Sequence, residues 1–399
     1  MGDRTHASLH GETGASLINY CSRISAGKII PAFFKFVEQD CFYRLFEIMK
    51  RCLILICMCL AALSCDRAHD CTLSGLCAGD FRAEVEGKTT SFYTLTNSNG
   101  MEVCVTDYGA RILSIMVPDR RGRMTNVVVG FDNIADYLVK PVSHGAVIGR
   151  YANRIADASF VLDGQRYDLD RNSGQNCIHG GTKSWKVQMF SARQPDSSTL
   201  VLTIDSPDRE MGFPGNVHAE VTYKVTEDNA LDISYTATTD KPTVLNLTSH
   251  SFFNLSGKRD YEIWDHVLYV DADRYTPVNE GKVPTGEILP VRDGGIDYTV
   301  PRPPDREFDI NMVLNHPGDT NVVAASLYAP DTGIRMDVYT DQPGMVTYVK
   351  GTSVCLETQN FPDSPNHPHF PSSVLRPDET YRHRCIYRFS TGRRKLQSI

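Results

Sequence analysis

An all-β fold, built as a large antiparallel β-sandwich, is what this sequence predicts, on three observations. From Phe81 onward the chain is a succession of short runs in which apolar and polar residues alternate, the period of a half-buried strand. Gly, Asp, Asn or Pro break these runs about every 8–12 residues, the spacing of a sandwich or barrel. No long stretch carries a helical period.

In chain order, residues 101–106 alternate, 111–117 follow a Tyr108-Gly109 turn, and 127–129 form a short apolar run read as a strand. Asn133 opens the one segment, 133–139, that suggests a turn or two of helix. Residues 159–162 and 165–169 flank Asp163-Gly164, the strongest short-range hairpin signal, because both turn positions must tolerate positive φ. Further strands are expected over 199–204, 217–225, 231–238, 266–270, 333–339 and 384–389, and through Val354-Cys355-Leu356-Glu357. The Pro-rich stretch 301–304 reads as a surface loop. No period of 20 to 50 residues repeats and no linker interrupts the chain, so 81–399 is expected to be one domain.

Composition narrows the function classes. With 399 residues, 41% hydrophobic and 22% charged, the chain is neither disordered, collagen-like nor a polytopic membrane protein. A net charge of −7 repels phosphate backbones and argues against nucleic acid as a partner. Eight of the 12 cysteines lie in the first 77 residues; the sparse four, Cys104, Cys177, Cys355 and Cys385, are expected to be buried free thiols. Cys71 and Cys77 are near enough to pair, and spacing alone does not decide it.

The N-terminal region reads as targeting sequence. Met49 is followed by Lys50 and Arg51, then by 12 uncharged apolar residues, 52–63, then by Ser64-Cys65. A basic start, a short apolar stretch and a small-residue cleavage site are the marks of an export signal, and so short a stretch does not span a bilayer core. Ala62-Leu63-Ser64-Cys65 also resembles a bacterial lipobox, with Ala62 where leucine is usual. The expectation is a non-native leader over 1–48 from an upstream start, a signal peptide over 49–64 and a tether over 65–80. The protein would then lie outside the cytoplasm, lipid-anchored through Cys65 or free in the periplasm. The rival is a cytosolic extension in which 52–63 is a buried helix.

Motifs eliminate several chemistries. There is no Gly-x-x-x-x-Gly-Lys phosphate loop, no Gly-x-Ser-x-Gly elbow and no His-Glu-x-x-His zinc helix. His367-Pro368-His369 offers a His-x-His pair, but Pro365, Pro368 and Pro371 make it a loop. Four clusters remain, each dense in polar groups beside strands: Gly149-Arg150-Tyr151-Ala152-Asn153-Arg154-Ile155, Asn176-Cys177-Ile178-His179-Gly180-Gly181, the stretch 246–255 around His250, and Cys355-Leu356-Glu357-Thr358-Gln359. Singly, Arg154 reads as well as a sheet-edge ion pair, His179 as a turn cap and His250 as a core histidine. Glu357 stands out, because a carboxylate inside an apolar strand is costly to bury without a purpose.

Together, and in this order, the clusters resemble the aldose 1-epimerase (mutarotase) family. Asp107-Tyr108-Gly109-Ala110-Arg111-Ile112 is similar to its N-terminal signature, Gly149 to Ile155 to its sugar-binding loop, and Ile178-His179-Gly180-Gly181 to its Leu-His-Gly-Gly motif. Asn246 to Leu255, Tyr275-Thr276-Pro277 through Pro284-Thr285-Gly286-Glu287, and Leu356 through Asn360-Phe361-Pro362-Asp363 match as well. The resemblance implies a galactose mutarotase-like sandwich and an enzyme that interconverts the α and β anomers of free aldoses. Position by position it implies Glu357 as general base, His250 as general acid and His179 as a second histidine beside the ring. Asn153, Arg154 and Asp309 would hold sugar hydroxyls. The chemistry suits these types: the anomeric hydroxyl loses a proton while the ring oxygen gains one, and side chains with reference pKa values of about 4.3 and 6.5 exchange protons near neutrality.

No cofactor or catalytic metal is required; calcium, credited to some bacterial relatives, finds no Asp-rich loop that demands it. A small-molecule aldose is the expected partner, and the protein is expected to be a monomer. The chain departs from the family at two places. Ile310 follows Asp309 where histidine is usual, and Val346 stands where a sugar-contacting glutamine is common, in a segment shorter than usual between Gly344 and Cys355. These departures reshape the pocket rim, bear on sugar preference and leave the acid and base alone; the alternatives are a carbohydrate-binding surface lipoprotein without turnover, against which the retained His250 and Glu357 argue, and an epimerase for a modified or pentose sugar.

Overall fold

The structure, a computed structural model, describes residues 44, 47–54, 71–140 and 142–392. The chain divides into two units, Met1–His69 and Asp70–Ile399. Of the first, residues 47–54 are helical; most of the leader, most of the signal segment, and the start of the tether with Cys65 lie outside the described residues. Among the described residues no helix is long and apolar enough to cross a membrane.

The second unit is built on three antiparallel sheets. A four-stranded sheet runs in sequence order through β1 (Phe92–Thr96), β2 (Glu102–Thr106), β3 (Arg111–Pro118) and β4 (Met124–Asn126). An eight-stranded sheet takes β5 (Ser191–Asp196), β6 (Thr199–Ser206), β7 (Val217–Val225), β8 (Ala230–Thr239) and β9 (Val267–Val270). A five-stranded sheet uses β10 (Arg274–Thr276), β11 (Leu289–Pro290) and β12 (Phe308–Val313). β13 (Ala325–Tyr328) and β14 (Ile334–Thr340) join the large sheet, β15 (Gly344–Lys350) and β16 (Ser353–Gln359) the five-stranded one, and β17 (Tyr381–Thr391) the large sheet again. The orders are β5-β6-β7-β8-β17-β14-β13-β9 and β11-β10-β12-β15-β16.

Period-two burial drives this architecture. In β7, Val217, Ala219, Val221, Tyr223 and Val225 are buried while the residues between them face outward to varying degrees. One core takes Leu95, Val103 and Ile115 from the small sheet, Leu202, Val221, Ile233 and Tyr387 from the large one, and Met312, Met345, Val349 and Leu356 from the five-stranded one. Because side chains alternate across a strand, β12, β15 and β16 turn Asp309, Asn311, Val346, Tyr348, Cys355 and Glu357 to the opposite face. Register sets them in two rows, Asp309–Tyr348–Cys355 and Asn311–Val346–Glu357.

Three expectations need correction. The 127–129 run is not a strand: β4 ends at Asn126, and only an isolated bridge joins Val128 to Phe253. The tether does not extend to residue 80. Cys71 and Cys77 are disulfide-bonded, Leu76 and Phe81 are buried beside Cys104, Tyr108, Ile134 and Tyr137, and the buried Glu102 accepts from the Leu73 N–H at 2.9 Å. A disulfide and two buried apolar side chains hold this segment where its polar composition suggested solvent. And β17 begins three residues before the expected 384, its first residue Tyr381 packed against the core. The helix lies over Ile134–Val139, with the Asn133 side chain accepting from the Asp136 N–H. The Asp163-Gly164 hairpin has φ of 51° and 78° at its turn. Cys104, Cys177, Cys355 and Cys385 are free and buried.

Candidate active site

Two loops and one sheet face build a cleft of about 300 Å³. The loop through Asn153 and the loop through His179 touch at glycines. A Cβ on Gly180, where φ is +82°, would stand 2.3 Å from the Gly149 carbonyl oxygen, and one on Gly149 would stand 2.2 Å from the Trp185 ring. Only glycines allow this approach. Beyond them Asn153 (φ 60°) and His179 (φ 54°) both adopt left-handed backbone, at a cost of roughly 1 kcal/mol or more each for a non-glycine residue. They hold each other there: the His179 N–H donates to the Asn153 carbonyl at 2.9 Å, and the Asn153 N–H donates to His179 Nδ1 at 3.2 Å. With Nδ1 accepting, the neutral ring carries its proton on Nε2.

His250 follows the short Thr248–Ser249 strand, paired with Val147–Ile148. Its segment is fixed against β16 by buried polar bonds. Asn246 accepts from the Asn360 N–H at 2.8 Å and returns its amide to the Asn360 carbonyl at 3.1 Å, and the Thr248 hydroxyl donates to the Thr358 carbonyl at 2.9 Å. His250 Nε2 therefore lies 3.4 Å from Glu357 Oε1, with side chains only 7% and 2% exposed. The His250 ring stacks on Phe252 at 4.9 Å and meets the edge of His179 at 5.2 Å. Across the floor Arg154 Nη1 stands 3.7 Å from Asp309 Oδ2.

Burial governs the protonation of this group. The Glu357 carboxyl is pushed well above the usual carboxylate range by desolvation, then by the Asp309 charge, with Arg154 opposing. Desolvation lowers His250 to about 3, helped by His144 and Lys186, and holds His179 well below the usual imidazole value. Asp309 is raised by burial against Arg154 and Lys282. The reference values used on the sequence thus do not survive burial: both members of the pair are driven toward their uncharged forms. Glu357 Oε2 and His250 Nδ1 are buried without a hydrogen-bond partner.

All six residues singled out from the sequence, Asn153, Arg154, His179, His250, Asp309 and Glu357, line this cleft. His367 and His369 do not; they lie in a loop, His369 bonded to the Gly286 carbonyl. The sequence reading missed Ser143, His144, Phe252, Lys282 and Tyr348. His144 stacks on Phe252 at 4.0 Å, extending the Phe252–His250 stack, and burial lowers its pKa to about 4. Phe252 and Lys282 lay inside matched motifs, so counting polar and aromatic residues there would have found them. Val346, in the expected glutamine position, is buried between Asn311 and Glu357 and presents no hydrogen-bonding group to the cleft.

Comparison with known proteins agrees with this arrangement. The aldose 1-epimerase family model matches residues 91–388. A galactose mutarotase of Sus scrofa is 36% identical over 320 residues, covering 74% of this chain and 93% of the relative. An aldose 1-epimerase of Escherichia coli (strain K12) is 32% identical over 334 residues, covering 76% and 96%. The crystal structure of an aldose epimerase homologue from C. elegans superposes with a TM-score of 0.72 at 26% identity, covering 76% of this chain and 99% of that one. A galactose 1-epimerase from Lactobacillus acidophilus NCFM shares the fold, with a TM-score of 0.69 at 24% identity over 78% and 97%. With a sandwich of this fold, a polar cleft holding all the expected groups and matches across three-quarters of its length, the chain belongs to the aldose 1-epimerase family.

Proposed function

We propose that this aldose 1-epimerase interconverts the anomers of free hexoses of the glucose and galactose type by passing protons between the sugar, Glu357 and His250. The observation that carries the reading is the approach of His250 Nε2 and Glu357 Oε1 to 3.4 Å at the buried floor of the cleft. The reaction breaks the bond between C1 and the ring oxygen. Glu357 takes the proton of the C1 hydroxyl as His250 gives one to the ring oxygen, leaving the open aldehyde. Rotation about C1–C2 presents the other face, and the same transfers in reverse close the ring. Both oxygens are bonded to one carbon, so an acid and a base must converge as closely as this pair does. The pair needs one proton in total, carried by His250 when the sugar is closed and by Glu357 when it is open. Burial makes both groups reluctant to charge, so it disfavours the charged arrangement that meets the closed sugar and drives the proton transfers toward ring opening.

Asn153 and Arg154, with Asp309 opposite, are suited to hold hydroxyls, and His179 Nε2–H supplies a further donor. A cleft of about 300 Å³ is at the small end of ligand sites and suits one monosaccharide. These transfers call for no cofactor, and chelation is expected to leave the rate unchanged. We further propose that the enzyme works outside the cytoplasm as a monomer, on a lipid anchor at Cys65 or free after cleavage. The Cys71–Cys77 disulfide supports an oxidising compartment.

Polarimetry on freshly dissolved anomers of glucose, galactose, xylose and arabinose tests the proposal. Acceleration over the spontaneous rate is expected, with kcat/KM higher for the hexoses. A higher value for the pentoses would move the preference, and binding without acceleration of any of the four would reduce the protein to a sugar-binding one.

A further inference from the structure

At the cleft floor, three buried ligand groups of different chemistry converge. Cys355 and Glu357 are two apart on β16 and share its cleft-side face, and His250 reaches them from the neighbouring segment. A ring nitrogen of His250, the Cys355 sulfur and a carboxylate oxygen of Glu357 all lie within 4.8 Å of one another. All three residues are buried, and Glu357 Oε2 is buried without a partner. His250 and Glu357 line the cleft, so an ion arriving through it meets them first and Cys355 behind.

Imidazole, thiolate and carboxylate together are the donor set of zinc-like ions, whereas calcium and magnesium take oxygen ligands. Zinc with three protein ligands keeps its fourth position open, and here that position would face the cleft. The charges also close. A divalent cation that displaces the Cys355 thiol proton and the one proton of the His250–Glu357 pair releases two protons and leaves a site of no net charge, which a buried site accepts far better than an unpaired ion.

We propose that His250, Cys355 and Glu357 form an inhibitory site for zinc or cadmium ions, in competition with the sugar. The inhibitory part rests on the reading of His250 and Glu357 as acid and base, since the ion would take the lone pairs of both.

The test uses the full chain, stripped with a chelator and titrated with zinc or cadmium chloride in a non-coordinating buffer. Two readouts are followed: the ultraviolet sulfur-to-cadmium charge-transfer band and the polarimetric rate. In the wild type the part of the band that depends on Cys355, taken as wild type minus variant because the full chain carries other thiols, is expected to saturate at one ion per chain while the rate falls to roughly a tenth or less, with recovery on adding EDTA and protection by sugar. Cys355→Ser and Cys355→Ala are expected to keep their metal-free rate, lose the part of the band that Cys355 contributes and need roughly tenfold more metal for half-inhibition. Two substitutions guard against one that fails to fold. Absence of a Cys355-dependent part of the band, or wild-type metal sensitivity in both variants, overturns the proposal. A Cys355-dependent band in a protein with no metal-free mutarotation supports the ion site and overturns the acid–base reading instead.

Discussion

In the proposed mechanism His250 and Glu357, two buried groups 3.4 Å apart, share one proton, and this makes the pH profile of kcat/KM a direct probe of the pair. Activity requires the pair to hold that one proton. It is lost in acid when a second proton is added, toward the lowered His250 value of about 3, and in alkali when the first leaves, above the usual carboxylate range because Glu357 is raised. The limbs belong to the pair and not to either residue alone. Asp309 raises Glu357 and Arg154 lowers it. Asp309→Asn should therefore let the pair lose its proton at lower pH and move the alkaline limb down, and Arg154→Gln should move it up. Both variants are also expected to weaken sugar binding, so the position of the limb is diagnostic and its height is not. An alkaline limb that stays put in both variants would show that Glu357 is not the group being titrated.

Among the elements, the contact between the Asn153 and His179 loops is the most sensitive point away from the reacting groups. Gly180→Ala places a methyl group 2.3 Å from the Gly149 carbonyl oxygen at a positive φ, so the loop must shift and take His179 with it. A fall in kcat/KM of roughly 100-fold is expected from such a misplacement, with a lowered Tm; unchanged kinetics would mean that His179 does not need this position. The sequence made visible those strands with one wet face, and β7, β8, β14 and β17 were legible by alternation. β15 and β16 are buried on both faces almost throughout, so their period is erased; the Glu357 strand was found through its one odd carboxylate. β5 fails in the opposite way, since its residues are mostly exposed and polar as an edge strand allows. Five of the six site residues were legible because they sit in dense polar clusters beside strands; Asp309 lies outside those clusters and was reached only through the family resemblance. Ser143, His144 and Tyr348 lie outside those clusters and reach the cleft only through folding.

For the whole molecule, the N-terminal disulfide and the export reading bear on one another. Cys71 and Cys77 close a loop of sequence separation 6 and pin Leu76 and Phe81 to the core. Cys71→Ser with Cys77→Ser is expected to cost about 2 kcal/mol of stability, read as a lower Tm, while kcat stays at the wild-type value because the cleft is built by other segments. If kcat falls with Tm, the segment supports the site as well as the core. Location is tested by fractionating cells that express the natural gene: the wild type should be in membranes and Cys65→Ala should not, and a cytosolic wild type with residues 1–48 attached would contradict the export reading. The acid–base pair is tested most directly by the polarimetric rate of glucose anomer interconversion in chelator-treated wild type, Glu357→Gln and His250→Asn. Each substitution is expected to lower kcat by roughly 100-fold or more, the scale of removing a positioned acid or base, with the fold retained. Turnover within a few-fold of wild type in either folded variant would contradict the assignment.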